Sequence, residues 1–339
     1  MRVGLFVSSI EGELAAHTTT RLAHAAVERG HDVFYLDSES FVYGSAEVLG
    51  AVARRAPADR GRDFEDFVTK VKTGPPETIR VDELDTLMLR NEPAEDATDR
   101  PWAVDLAVVF GHAAKERGVL VLNDPAGLAR AANKTYLQEF PAEVRPRTLI
   151  ARDADAIKSF VDATGGKVVL KPLLGAKGEK VFFLSGASDP NLNQVIDAIR
   201  EDGYVVVQEF LEEGSEGDVR LFMLDGEPLS HRGRWAAFRR RPSSDELRSN
   251  MYSGGTAEPC EIGDAELRIA RTMGPRLRRD GMFLVGLDIV GDKVVEVNVQ
   301  SPAGFTSIER FTGIDFGPVV IEAVERKVAM SSPGRRVTG

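Results

Sequence analysis

The chain has 339 residues, 42% hydrophobic and 28% charged, with 53 acids against 43 Lys and Arg for a formal net charge of −10. That is the make-up of a globular protein of two or three domains, and its acidic balance argues against a general nucleic-acid binder, which needs surplus cations for phosphates. No run is apolar enough for a membrane span, the single Cys260 excludes an internal disulfide or a cysteine metal site, and the five histidines lack ligand spacing such as HExxH.

In chain order, the opening MRVGLFVSS reads as a first strand, not a signal-peptide core. Residues 2–7, a helix over 18–29 stopped by Gly30, and the run 32–36 predict a β-α-β unit. Residues 86–89, a helix over 104–117 stopped by Gly118, and a strand at 119–122 continue the alternation. The expectation is an open α/β domain on a parallel sheet over residues 1–122, with the charged, Pro/Gly-punctuated segment 51–77 as an excursion from that sheet. Helical pieces at 125–140, strands at 147–151, 167–173 and 180–184, and helices at 153–163 and 191–201 predict a small α+β unit over 123–203. Strands at 204–211 and 218–224, a helix at 264–279, a hairpin within 281–304 and a helix at 316–327 predict a largely antiparallel last domain over 204–330. Residues 331–339 are expected to be a loose tail.

The hairpin segment GMFLVGLDIVGDKVVEVNVQSPAG carries the sharpest chemistry. Strand alternation puts Leu287, Ile289, Val295, Val297 and Val299 on an apolar face and Asp288, Glu296 and Asn298 on the other. A two-residue turn at Gly291 and Asp292 would set Asp288 across from Val295. A three-residue turn over 291–293 sets it opposite Glu296, and that is the expected register. Three oxygen donors with no nearby His or Cys suit a hard cation such as Mg2+. On spacing alone, a solvated hairpin face remains the simpler account.

Other segments could handle a nucleotide. Lys171 in VVLKPL precedes a Gly- and Lys-bearing turn, LLGAKGEK, which can lay N–H groups and ammonium groups over phosphates. VVVQEFL ends a strand beside polar residues, and its backbone could meet a base edge. In GDVRLFML, Asp218 and Arg220 share one strand face. Taken singly, these fit a hairpin tip or a surface ion pair of little worth.

The order of the motifs is more specific than any one of them. Lys134 in NKTYLQEF, Lys171-Pro172, QEFL, GDVRLF with the following DGEP, and GLDIVGDKVVEVNVQSPAG together resemble the ATP-grasp ligases, bacterial glutathione synthetases in particular. The likeness runs from LMLRNEP and VLNDPAGLARAANK to the last helix. It implies an open α/β N-terminal domain followed by a two-part ATP-grasp fold, a small lid and a larger antiparallel-sheet domain. It also implies an ATP- and Mg2+- (or Mn2+-) dependent carboxylate–amine ligase that forms an acyl phosphate, with γ-glutamylcysteine and glycine as small-molecule partners. A cytoplasmic homotetramer in glutathione biosynthesis, with no nucleic-acid or membrane partner, completes the expectation.

By the same resemblance, Lys134 and Lys171 would hold ATP phosphates under a loop containing Gly175 and Gly178, and Gln208, Glu209, Phe210 and Leu211 would line the adenine pocket. Asp218 would meet the ribose or substrate side of the nucleotide. Asp288, Glu296 and Asn298 would bind two Mg2+ ions. Arg220, Arg240, Arg248 and Asn250 would face the acceptor carboxylates, Ser301 and Gly304 would close the other side, and Arg220, Arg240 and Asn298 would form the catalytic set. The pattern departs from the family in the glycine-poor LLGAKGEK turn, in the basic and aromatic HRGRWAAFRRRP, and over residues 8–80. The cluster Arg232, Arg234, Arg239, Arg240 and Arg241 reads either as a nucleic-acid patch or as a carboxylate clamp, and the acidic total favours the clamp. Alternative functions are ligation of another amino acid or peptide, glutamylation of a protein tail, or a nucleotide-binding regulator without catalysis.

Overall fold

The computed structural model describes residues 1–44, 48–175, 180–242 and 255–331. Its first sheet has seven strands: β1 (Arg2–Phe6), β2 (Asp32–Leu36), β3 (Phe41–Tyr43), β4 (Leu49–Arg55), β5 (Pro76–Arg80), β6 (Thr86–Leu89) and β7 (Leu120–Leu122). The strands β2, β1, β6 and β7 are parallel, as expected of a β-α-β alternation whose crossover helices are α1 (Thr18–Glu28) and α4 (Leu106–Glu116). Residues 51–77 are no excursion. β4 pairs antiparallel with β2, β3 and β5, so this edge makes the sheet mixed, with α2 (Phe64–Thr73) between β4 and β5 and α3 (Pro93–Asp99) after β6. The residues of β4 that reach the core are Leu49, Ala51 and Ala53. Alanine is a poor strand former, so local preference hid the strand and burial decided it.

After α5 (Pro125–Arg130), a second sheet contains β8 (Thr148–Ala151), β9 (Val168–Pro172), β10 (Phe182–Leu184) and β11 (Val205–Glu209), in the order β10-β9-β11-β8. Residues 204–211 were expected in the last sheet. Instead β11 sits between β9 and β8, antiparallel to both. Its Val205 and Val207 enter a core made with α6 (Ala154–Thr164) and α7 (Leu192–Arg200), a core separate from those of the other sheets.

The third sheet is built on β12 (Asp218–Leu224), with the short β13 (Glu227–Pro228) at its end and a small ribbon of β14 (Ser230–His231) and β15 (Arg234–Trp235) beyond. β16 (Ala237–Arg241), β17 (Thr256–Glu258), β18 (Leu284–Val290) and β19 (Lys293–Asn298) complete it in the antiparallel order β17-β16-β12-β18-β19. Helix α8 (Asp264–Arg279) packs on one face, where Val219, Leu221, Leu287 and Ile289 join Ile269, Ala270 and Met273. Helices α9 (Phe305–Thr312) and α10 (Gly317–Ser331) return to α1 in the first domain, and α9 had no counterpart in the sequence reading. Among the described residues no helix is long and apolar enough to cross a membrane.

Candidate active site

Four adjacent strands of the third sheet carry a row of charged and amide side chains on the face away from α8. On β12, Asp218 and Arg220 share that face because they are two residues apart. Antiparallel register sets Arg240 of β16 opposite Asp218, and Asp288 of β18 opposite Arg220. The row then passes to β19, where Asp288 lies opposite Glu296, as expected, but by a different route. The turn has two residues, Gly291 (φ +56°) and Asp292, with Val290 paired to Lys293 and Ile289 to Val294. A β-bulge then leaves Val295 without a partner, and the skipped residue restores the parity that a three-residue turn would have supplied. In consequence Val294, not Val295, takes the buried core position.

Burial turns this row into a network. Asp288 is 1% exposed and accepts from Arg220 Nε and Nη2, both at 2.8 Å, and from Asn298 Nδ2 at 3.0 Å. Arg240 pairs with both acids, its Nη2 lying 2.7 Å from Asp218 and 2.6 Å from Asp288. Asp218 and Arg220 are therefore neither exposed nor each other's partners, as the shared face had suggested; each pairs across strands. Burial pushes the Asp288 carboxyl up, but Arg220 and Arg240 outweigh it and hold the group well below the usual carboxylate range. Burial pulls Arg240 down, and Asp288, Asp218 and Glu296 more than offset that.

The second half of the site is cationic. Lys171 lies on β9 and Lys134 opens a 3-10 turn (Lys134–Glu139), its Nζ donating to the Gly175 carbonyl at 2.9 Å beside the predicted phosphate loop. Burial lowers the pKa of Lys171 to about 8; Glu296 and Asp288 pull it back up, and the like charge of Lys134 adds to the drop. Burial also lowers Lys134, again opposed by Glu296. Both lysines thus sense the carboxylate of Glu296, which has no hydrogen-bond or ion-pair partner among the described residues.

Along β11, Gln208 is buried and donates from Nε2 to Thr148 Oγ1 at 3.3 Å, while Glu209 Oε1 accepts from Arg147 N at 2.7 Å. The backbone N–H groups of Glu209 and Phe210 are taken by the Arg147 and Lys167 carbonyls. Of the backbone donors expected for a base edge, these two are committed, and the next along the chain is that of Leu211. Ser301 is half-buried at the start of the SPAG turn. Gly304 has φ +140°, and a Cβ there would run into the ring of Phe238. Gly178, Arg248 and Asn250 lie outside the described residues. The basic run divides by strand alternation: Arg240 enters the site, Arg241 pairs with Glu258 at 2.5 Å, and Arg239 lines a separate pocket with Glu213, Glu216 and Glu266. Arg239, Arg240 and Arg241 therefore do not share one surface.

Three functional neighbours escaped the sequence reading. Asn123 is buried and donates to the Leu284 and Val299 carbonyls while accepting from Phe283 N and Leu284 N, so it ties β18 and the exit of β19 to the end of the first sheet. Arg90 and Thr18 reach the SPAG turn from the first domain. Arg90 in LMLRNEP and Asn123 in VLNDPAG each left a local signal, a polar residue at the end of an apolar strand, whereas Thr18 left none.

Family comparison fits this arrangement. A family model described as prokaryotic glutathione synthetase, ATP-grasp domain, matches residues 133–313, and one described as prokaryotic glutathione synthetase, N-terminal domain, matches residues 1–129. The chain belongs to the prokaryotic glutathione synthetase family. It is 30% identical over 332 residues to a glutathione synthetase of Shewanella oneidensis, covering 97% of this chain and 99% of that protein. It is 41% identical over 204 residues to that of Thermosynechococcus vestitus, covering 60% and 61%. Among solved structures, the fold is shared with D-cycloserine synthetase DcsG (TM-score 0.66, 14% identity, 96% of this chain and 99% of that one). It is shared too with the ATP-grasp ligase PsnB in a complex with Mg and ADP (TM-score 0.60, 18% identity, 96% and 98%).

A divalent cation, which ATP-grasp ligases of this family imply, fits the donors present. Glu296 has an uncommitted carboxylate directly across from Asp288, and Asn298, the next same-face residue of β19, donates through its amide nitrogen to Asp288 and so turns its oxygen elsewhere. All three supply oxygen, as Mg2+ requires. Asp288 already accepts from three side chains, so a cation there competes with arginine.

Proposed function

We propose that the protein joins the carboxylate of γ-glutamylcysteine to the amine of glycine, with ATP and Mg2+, through an acyl phosphate. The observation that carries this reading is the row Arg240–Asp218, Arg220–Asp288 and Glu296–Asn298 running across four strands toward Lys134 and Lys171. Cations for phosphates stand at one end and guanidinium groups for carboxylates at the other. The chemistry needs no enzyme nucleophile. A substrate carboxylate oxygen attacks the γ-phosphorus as ADP leaves, and the amine nitrogen then attacks the acyl carbon as phosphate leaves and a proton is released. Lys134 and Lys171 would orient the phosphates, Arg220 and Arg240 the acid, and the small unit carrying β8–β11 would exclude water. Mg2+ held by Asp288, Glu296 and Asn298 would neutralise phosphate charge. A homotetramer in the cytoplasm accompanies this reading by family resemblance.

The test is ADP release from ATP and Mg2+ over a panel of acids and amines, with mass spectrometry of the product. Glutathione formed only when both partners and the metal are present is the expected result, and a chelator should stop it. ADP release indifferent to the amine, or a different amide, would overturn the assignment.

A further inference from the structure

The turn at residues 301–304 is gripped from two domains at successive carbonyls. From the third sheet, Arg220 donates Nη1 to the Ala303 carbonyl at 3.4 Å. From the end of β6, Arg90 donates Nη2 to the Pro302 carbonyl at 3.1 Å and Nε to Thr19 Oγ1 at 3.3 Å. Beside it, Thr18 Oγ1 accepts from Gly304 N at 3.2 Å and Phe305 N at 3.4 Å. Donors at the start of a helix such as α9 have no partner within their own helix, so this hydroxyl acts as a cap brought in from the first domain. Thr306 Oγ1 adds a bond to the Ala16 carbonyl at 2.8 Å.

Arg90 is 5% exposed, and among the described residues no acid lies within ion-pair distance of it. Burial lowers its pKa to about 10, with Glu13 and Glu92 opposing from farther away. An enclosed guanidinium without an ion partner is expensive for stability, and an apolar residue of similar volume would cost less. What the guanidinium does supply is a fixed planar fork of donors, one of them aimed at a backbone carbonyl of the site.

We infer that Arg90 is a positioning residue of the ligase reaction: it fixes the Pro302 carbonyl from the first domain, and through the turn it sets Ser301 and the Arg220–Asp288 pair. The reaction part of this inference rests on the proposed function; the mechanical part does not. Arg90→Lys keeps the charge but cannot make both bonds, and Thr18→Ala removes the cap without touching Arg90. Hydrogen exchange of the Gly304 and Phe305 amides should quicken in both variants, with β11 unchanged. The KM for the acid should rise about tenfold, the effect of one lost hydrogen bond to a charged group, while the KM for ATP stays put. Unchanged exchange in both variants would overturn the inference. So would an equal loss in acid, amine and ATP parameters with a lowered Tm, which is what a scaffold role predicts. A parent protein that releases no ADP with any acid and amine would instead sink the proposed function, and the exchange comparison would still decide whether Arg90 holds the turn.

Discussion

The two halves of the candidate site are opposites in charge balance. Around Asp288 two acids and two arginines neutralise one another in a buried network, whereas Lys134 and Lys171 crowd together with the nearby Glu296 as counter-charge and with pKa values pushed down. The first half is complete as folded. The second gains when an anion arrives, because phosphates supply the charge that burial has made costly for the lysines. Glu296 stands at the seam and is the residue on which the two halves differ most in what a mutation should do.

The largest effect expected is at that seam. Glu296→Gln should cut turnover roughly a thousandfold, the loss of several kcal/mol of phosphate-charge neutralisation, and leave Tm nearly unchanged. A large drop in Tm would show that Glu296 belongs to the buried network after all. Arg240→Ala should raise the KM for the acid and also cost about 1.5–3 kcal/mol of stability, because it takes one of two guanidinium groups from buried Asp288 and a charged partner from buried Asp218; chemical denaturation measures the stability loss. A variant as stable as the parent would mean the network is looser than its distances.

The cationic half should respond to pH. Lys171 is charged below about 8 in the free protein, against an ordinary 10.5, and bound phosphate raises it again. Nucleotide binding must therefore take up a proton once pH passes 8, and affinity should fall about tenfold between pH 8 and 9.5. Calorimetry in buffers of different ionisation enthalpy reads the uptake directly, and Lys171→Met should abolish it. Proton uptake surviving in that variant would assign the effect to another group. Smallest of all, Cys260, its thiol pushed up to about 11 mainly by burial, should resist alkylation at pH 8, and Cys260→Ser should leave activity as it was.

Much of this was legible in the residues themselves. The period-two alternation of GLDIV and VVEVN announced that Asp288, Glu296 and Asn298 share a face, though it put Val295 where Val294 packs, and the sequence order of Lys134, Lys171, Asp218, Arg220, Asp288 and Glu296 announced the ligase family. The turn was not legible. Gly291-Asp292 is a two-residue turn by any local rule, yet Asp288 still meets Glu296, because the apolar residues of β19 reach the core only if Val295 bulges out. Likewise β11, three valines followed by a polar pair, satisfies the pattern of either neighbouring sheet, and only the packing of Val205 and Val207 under α6 and α7 assigns it.

By itself, then, the order of residue types determined the chemistry: which side chains are acids, amides and cations, and in what sequence they line a fold. Tertiary structure alone decided which charges cancel, since Arg240 finds Asp288 through a third strand between them, and Arg90 reaches Pro302 across 212 positions of chain. The reason is physical. Alternation acts between neighbours along a strand, whereas ion pairing and burial depend on what covers a face, and that is settled when distant segments pack.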